Sequence, residues 1–355
     1  MVRPRLSRGG VSRWAAVLAG GSGTRFWPLS TPHRPKQLLA LTGRRPLLVE
    51  AVSRLAGLIP PERVLVLTGG DLVDAVRALL PEVPAENVLG EPKAAGTAPA
   101  LAWATVTARQ RDPDASVLSL HADWYVGNDD EFRAAARRAL EIAETGDVLV
   151  TVGVVPTRPD PGYGYVVPGE PLDGDAHRVR RFVEKPDEAG AAALLAEGAL
   201  WNSGLFAWTG RCFLDETRAV APELAPHLDR LAAGDVAGFF EAVTPITVDV
   251  SHFERSRRVA VVVGRFPWDD VGNWSALLRV RGRDATGSVT VGDVTAFDTH
   301  DCVLWSDEGA LVVDGVRDLV VVRTGGVTLV TTRERAANLK PLLEALPPSL
   351  REAAG

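Results

Sequence analysis

Residues 14–25 read WAAVLAGGSGTR: an apolar, β-type run at 14–19 passes straight into a glycine-rich turn and then a cation, Arg25. A strand that ends in GGSGT offers backbone N–H groups with no side chains in the way of an approaching polyanion. Neither familiar nucleotide fingerprint fits. A dinucleotide-binding turn needs a third glycine where Phe26 stands, and a Walker loop needs Gly-Lys-Ser/Thr where the chain has Gly23-Thr24-Arg25. Eleven residues after Arg25 comes Lys36, in HRPKQLL. Two fixed cations beside a phosphate cradle suit phosphoryl-type transfer, in which charge builds on phosphate oxygens and the leaving group. The glycines alone are equally compatible with a tight strand-to-helix turn followed by solvated basic residues.

Outward from this loop, short apolar runs alternate with helical patterns. Leu48, Val52, Leu55 and Ile59 share one face of a helix predicted over 46–59. A strand at 63–68, a helix at 71–80, a strand at 87–89, a helix at 98–109, a strand at 116–120, a helix at 131–144 and a strand at 147–155 follow. Strands alternating with helices predict an α/β fold with a Rossmann-like, doubly wound, mostly parallel sheet. Strands at 163–167 and 178–184 and the run at 201–209 lie in a looser region, 156–264, which reads as an insertion over one sheet edge. From about Asp284 the runs SVTVGDVTAF, CVLWS, ALVVDG and LVVVRT predict a small β-rich C-terminal domain with a final helix at 333–346 and no solenoid-length repeat. The expected organisation is a tail at 1–13, a catalytic domain at 14–283 and the β domain at 284–355.

Composition narrows the function. A net charge of −6 leaves no electrostatic footprint for nucleic acid. The two cysteines, Cys212 and Cys302, stand apart in sequence, which argues against a disulfide framework or zinc site and fits a reducing cytoplasm. Arg3, Arg5, Arg8 and Arg13 before WAAVLAG imitate a signal peptide, but the apolar run ends in Gly20-Gly21. No run approaches the roughly eighteen apolar residues of a membrane span.

The stretch LAGGSGTRFWPLSTPHRPKQLL resembles the signature of the mannose-1-phosphate guanylyltransferases, a branch of the sugar nucleotidyltransferases, and the later blocks come in the same order: EPKAAGTAPAL (91–101), HAD (121–123), GYGYV (162–166), FVEKP (182–186), WNSGLF (201–206) and WDDVGNW (268–274). The resemblance implies that Leu18, Ala19, Gly20, Gly21, Ser22, Gly23 and Thr24 bind the nucleotide together with Glu91 and Thr97, and that Arg25 and Lys36 are catalytic. It implies that Asp123 and Asp270 hold Mg2+, and that Gly164, Glu184, Lys185 and Asn202 bind the sugar phosphate. An Asp just past a strand's carboxyl end, and magnesium's preference for a few carboxylates plus phosphate oxygens and water, agree with the metal assignment. Taken singly, each Asp also suits a turn or helix cap. A carboxylate and an amide facing a sugar ring would reject ligands lacking its hydroxyls. Two departures stand out. Ala95 and Gly96 replace the family's Arg and Asn, and His121 and Trp124 flank Asp123 where the family has Pro and His.

The implied reaction is attack by the phosphate of mannose 1-phosphate on the α-phosphorus of GTP, with Mg2+ as cofactor and pyrophosphate as leaving group. The attacking monoester, with a second pKa of about 6, needs no general base. Accordingly His33, His177, His227, His252 and His300 are expected to be surface or packing residues. Two rivals remain: a related enzyme for another sugar 1-phosphate or nucleotide, and a catalytically silent regulatory subunit. The resemblance also implies a homodimer, with no nucleic acid or membrane as partner.

Overall fold

The computed structural model describes residues 12–21 and 24–352. The predicted tail lies outside these residues except for its last two, and Arg13 already opens the first strand. Two compact units interleave along the chain: one comprises 1–18, 52–121 and 128–266, the other 19–51, 122–127 and 267–355.

The first unit is built on nine strands: β1 Arg13–Leu18, β2 Val64–Gly69, β3 Val88–Glu91, β4 Ser116–His121, β5 Leu149–Val154, β6 Tyr165–Asp173, β7 Ala176–Val183, β8 Leu200–Thr209 and β9 Val259–Gly264. Their order is β3-β2-β1-β4-β8-β5-β9-β7-β6. The pairs β1–β2, β1–β4, β2–β3 and β5–β9 are parallel, and only β7 and β8 run against the rest. The sheet is thus mostly parallel and doubly wound, as the alternation predicts.

Near-continuous burial along β1, β2, β4 and β5 explains why these strands read as unbroken apolar runs rather than alternating ones. The helices Thr97–Arg111 and Asp129–Gly146 contribute Leu101, Ala104 and Ala108, and Phe132, Ala136 and Leu140, to the buried set. The second helix starts at Asn128, whose side chain accepts from the amides of Asp130 and Glu131, and three acidic residues fill its first turn, where the helix dipole favours them.

The region 156–264 is not an insertion over an edge. It supplies β8 to the middle of the sheet, antiparallel between β4 and β5, while β6 and β7 form the edge hairpin. WNSGLFAWT conceals this because β8 is buried on both faces and carries no period-2 pattern. Trp208 from β8 stacks on Phe213 at 4.5 Å and donates its indole N–H to Thr105 Oγ1 at 3.1 Å.

In the second unit, β10 Val289–Val291, β11 Val294–Phe297, β12 Val303–Ser306, β13 Leu311–Asp314, β14 Leu319–Thr324 and β15 Val327–Thr332 form the β-rich part. Val289, Val303 and Val320 lie side by side in the parallel ladder β10-β12-β14, and β11 pairs β13 in parallel with Val294 opposite Leu311. This is a stack of short coils, so the expectation of no solenoid-type repeat is corrected. Its coils differ in length and share apolar positions rather than sequence. Val303, Trp305, Val320 and Val322 enter one cluster, and Leu304 and Val321 enter another, as strand alternation dictates. At Gly292, with φ +86°, a Cβ would sit 1.8 Å from the Ser306 carbonyl oxygen, so only glycine turns that corner. The single C-terminal helix predicted at 333–346 is three pieces of structure: the helix Arg333–Ala336, a break, and the helix Lys340–Ala345. Pro341 near the start of the second piece explains the break.

Candidate active site

The glycine-rich loop belongs to the second unit. Gly20, Gly21, Thr24, Arg25, Lys36, Gln37, Asp123 and Gly272 line a cavity of about 290 Å³. Ser22 and Gly23 lie outside the described residues. Gly21 adopts φ +101°, a conformation open to glycine but costly to other residues. Arg25 is exposed at the cavity wall on the turn Thr24–Phe26. Gln37, quoted in the motif but given no role from sequence, is buried and donates to the Ala19 carbonyl at 2.7 Å, which anchors the base of the loop. Leu18 ends β1 and contributes its side chain to the first unit's core instead of the cavity.

Lys36 is nearly buried at 7% exposure, and its ammonium donates to Asp123 Oδ2 at 2.9 Å and to the Asp270 carbonyl at 2.6 Å. The two acidic loops meet because of one short ribbon. Tyr125–Val126 pairs antiparallel with Trp268–Asp269, with Tyr125 opposite Asp269 and Val126 opposite Trp268. Continuing that register brings the segment holding Asp123 beside the one holding Asp270. Trp124, which stands where the family has His, packs edge-on against Trp268 with ring centroids 6.0 Å apart, so the departure serves the ribbon.

Asp269, absent from the sequence reading, is the buried acid of the pair Asp269-Asp270. It is 3% exposed and accepts from Arg279 through both oxygens, at 2.6 and 3.0 Å, while its Oδ1 also accepts from the Val271 amide at 2.8 Å. Val271 has φ +48°, a strained state for a β-branched residue, and Asp269 helps to hold it. Asp270 Oδ1 in turn accepts from Gly272 N at 3.2 Å.

Among the described residues no three His, Cys, Asp or Glu side chains gather to hold a metal ion. Asp123 on the wall of the glycine-lined cavity, with Asp270 two residues before the lining residue Gly272, still fits a hard ion that takes one or two protein carboxylates and fills its remaining positions with phosphate oxygens and water.

In the first unit, Gly164, Glu184 and Asn202 come together. A Cβ on Gly164 would lie 2.5 Å from Glu184 Oε2 and 3.4 Å from Asn202 Cβ, and the Asn202 amide N–H donates to the Gly164 carbonyl at 2.8 Å. Lys185, with φ +45°, is exposed and ion-paired to Glu184. The Asn202 side chain is largely committed to the protein: its Oδ1 accepts from Thr151 Oγ1 at 3.0 Å, and its Nδ2 donates to Asp249 Oδ1 at 2.7 Å. Asp249 had no sequence signal, since it sits at the start of the short π-helical turn Asp249–Phe253, outside every block. Burial holds its carboxyl above the ordinary carboxylate range, with His121 opposing and the Glu184 charge reinforcing the shift.

Glu91, the last residue of β3, is pushed up to about 7 by burial. Thr97 opens the helix Thr97–Arg111, and its hydroxyl accepts from Val248 N at 2.9 Å. Among the histidines, His252 is fully buried, stacked on Phe213 at 4.5 Å and bonded to Thr217 and Ser251, with its pKa lowered by burial to about 4. It is a packing residue, as expected. Cys212 and Cys302 are both buried and free, and no helix among the described residues is long and apolar enough to cross a membrane.

Residues 14–286 match the nucleotidyl transferase family, and residues 292–346 match a MannoseP isomerase/GMP-like beta-helix domain. Mannose-1-phosphate guanylyltransferases of Escherichia coli and Klebsiella pneumoniae are each 35% identical, over 93% of this chain and 73% of theirs. A solved structure from Thermus thermophilus, described as a mannose-1-phosphate geranyltransferase, superposes with a TM-score of 0.87 at 37% identity, covering 94% of this chain and 99% of that one. The chain belongs to the mannose-1-phosphate guanylyltransferase family of nucleotidyl transferases.

Proposed function

We propose that this chain transfers the guanylyl group of GTP to α-D-mannose 1-phosphate, giving GDP-mannose and pyrophosphate. The observation that carries the reading is Lys36 bridging the Asp123 carboxylate and the Asp270 carbonyl at the wall of the glycine-lined cavity. A sugar-phosphate oxygen forms a bond to the α-phosphorus as the bond from that phosphorus to the β-bridging oxygen breaks, and the electron pair leaves with pyrophosphate. No proton has to be removed, in keeping with the absence of a histidine among the assigned groups. Arg25 and Lys36 offset the triphosphate charge, while the backbone at Gly20, Gly21 and Thr24 cradles it. Asp123 and Asp270 would hold Mg2+, which supplies charge neutralisation and alignment of the two phosphates when bound. Glu184, Lys185, Asn202 and Gly164 are assigned to the sugar phosphate, and Glu91 and Thr97 to the nucleotide.

Initial rates with GTP, UTP, CTP and dTTP, each against mannose, glucose and heptose 1-phosphates, test the assignment. GTP with mannose 1-phosphate is expected to give the highest kcat/KM, and a preference for any other pair refutes the specificity. Turnover abolished in Asp270→Ala removes a silent regulatory role. A homodimer belongs to the same proposal, supported by Val330 standing 61% exposed on the edge strand β15. Light scattering at the mass of one chain contradicts it.

A further inference from the structure

The replacements at Ala95 and Gly96 have a structural consequence within the first unit. Ala95 is fully buried, and its carbonyl accepts from Ile246 N at 3.0 Å. The Ile246 carbonyl accepts from Ala98 N at 3.2 Å, and Thr97 Oγ1 accepts from Val248 N. Gly96 has φ +84°, and a Cβ there would lie 2.4 Å from the Ile246 carbonyl oxygen. Residues 95–98 are therefore a seat for the segment 246–249, and that segment ends in Asp249. A side chain at 96 would not fit beneath it.

Asp249 is in turn fixed toward the sugar subsite. The amide of Asn202 cannot flip without facing its nitrogen to Thr151 Oγ1 and its oxygen to the Asp249 carboxylate, so its donor end stays on Asp249. Asn202 takes one of the roughly four lone-pair positions a carboxylate offers. Asp249 is half-buried rather than sealed, as are Asn202 and Glu184. A buried carboxylate beside the Glu184 charge gains from a ligand that brings neutral O–H donors, and a hexose ring is rich in them.

We propose that Asp249 is a second carboxylate of the sugar subsite, accepting a hydrogen bond from a ring hydroxyl of the hexose 1-phosphate beside Glu184. The proposal rests on the sugar-phosphate transfer reading above. It assigns Asn202 chiefly to positioning Asp249, and the Ala95-Gly96 pair to seating the segment that carries it.

The test is a cycle of protein and substrate changes. Wild type and Asp249→Asn are compared at saturating GTP with mannose 1-phosphate and its 2-, 3-, 4- and 6-deoxy analogues, with thermal midpoints measured alongside. Asp249→Asn is expected to raise KM for mannose 1-phosphate about tenfold or more while KM for GTP moves less than about twofold. One deoxy analogue, penalised about tenfold or more by the wild type, is expected to lose most of that penalty in the variant. Equal penalties in both proteins for every analogue overturn the proposal, as does a KM change confined to GTP. Should Asp249→Asn not fold, Asp249→Glu takes its place in the same cycle. If the wild type uses a different hexose 1-phosphate, the mannose assignment fails, and the same cycle on that sugar decides the role of Asp249. If it uses no sugar phosphate, both readings fall.

Discussion

Gly96→Ala perturbs a position where the structure allows the cost to be worked out. Gly96 sits at φ +84°, ψ 175°, a region populated essentially by glycine alone, where another residue incurs about 1–3 kcal/mol of backbone strain. The added Cβ would also lie 2.4 Å from the Ile246 carbonyl oxygen and 2.7 Å from its carbon, and both are backbone atoms with no rotamer to relieve the contact. The segment 246–249 must shift, which weakens the Ile246–Ala95 and Ala98–Ile246 hydrogen bonds, each worth about 0.5–1.5 kcal/mol net. The sum is about 2–6 kcal/mol. Gly198→Ala is the control: its φ is +80°, but nothing lies within 4 Å of the position its methyl would take, so only the positive-φ cost of about 1 kcal/mol applies. Equilibrium urea denaturation of both variants measures the difference. Equal losses in Gly96→Ala and Gly198→Ala would show that residues 95–98 do not seat the 246–249 segment and would refute the reasoning.

Three further outcomes follow from the same contacts. Glu91 has its folded pKa raised to about 7 by burial, so the stability it contributes is fully present below its unfolded pKa of about 4.3 and is lost as pH rises through 7; Glu91→Gln should match the wild type near pH 4 and exceed it by about 3 kcal/mol at pH 8 in denaturant titrations, and a pH-independent difference contradicts this. Asp269→Ala breaks the Arg279 pair and frees Val271 from its acceptor, so the Mg2+ concentration giving half-maximal rate should rise about tenfold, while Asp269→Asn, which keeps an acceptor for Val271 N, should shift it less; identical shifts argue against the turn-holding role. Lys36→Met leaves Asp123 and the Asp270 carbonyl without their shared donor and should lower kcat about 10²–10³-fold, and a change confined to KM for mannose 1-phosphate contradicts its placement at the triphosphate.

Much of the fold was legible because it rests on local patterns. β1, β2, β4 and β5 are apolar runs of strand length bounded by turns or helices, and their parallel pairing follows from the helices between them. β8 was not legible as a central strand, since a strand buried on both faces has the same composition as an insertion's core, and its antiparallel place depends on pairing with β4 and β5. The coils of the C-terminal region repeat at unequal spacing, with Val289, Val303 and Val320 in register but no shared motif.

At the site, several residues that the motif blocks single out are brought together: Gly20, Gly21, Thr24, Arg25, Lys36 and Asp123 line one cavity, and Gly164, Glu184 and Asn202 lie in contact. Gln37, Asp269 and Asp249 were not legible in the sequence, for a common reason. Each acts on its neighbours through hydrogen bonds, Gln37 to Ala19, Asp269 to Val271 and Arg279, and Asp249 to Asn202, and such partnerships leave no periodicity or spacing in the sequence.

The measurement that bears most directly on the central claim is ³¹P NMR of the purified protein with GDP-mannose, pyrophosphate and Mg2+. One phosphoanhydride replaces another, so the reaction should run readily in reverse. Resonances of GTP and mannose 1-phosphate are expected to grow together in equal amounts, and Asp270→Ala is expected to abolish both. Absence of GTP from the wild-type sample, with the protein folded and both substrates present, contradicts guanylyl transfer by this chain.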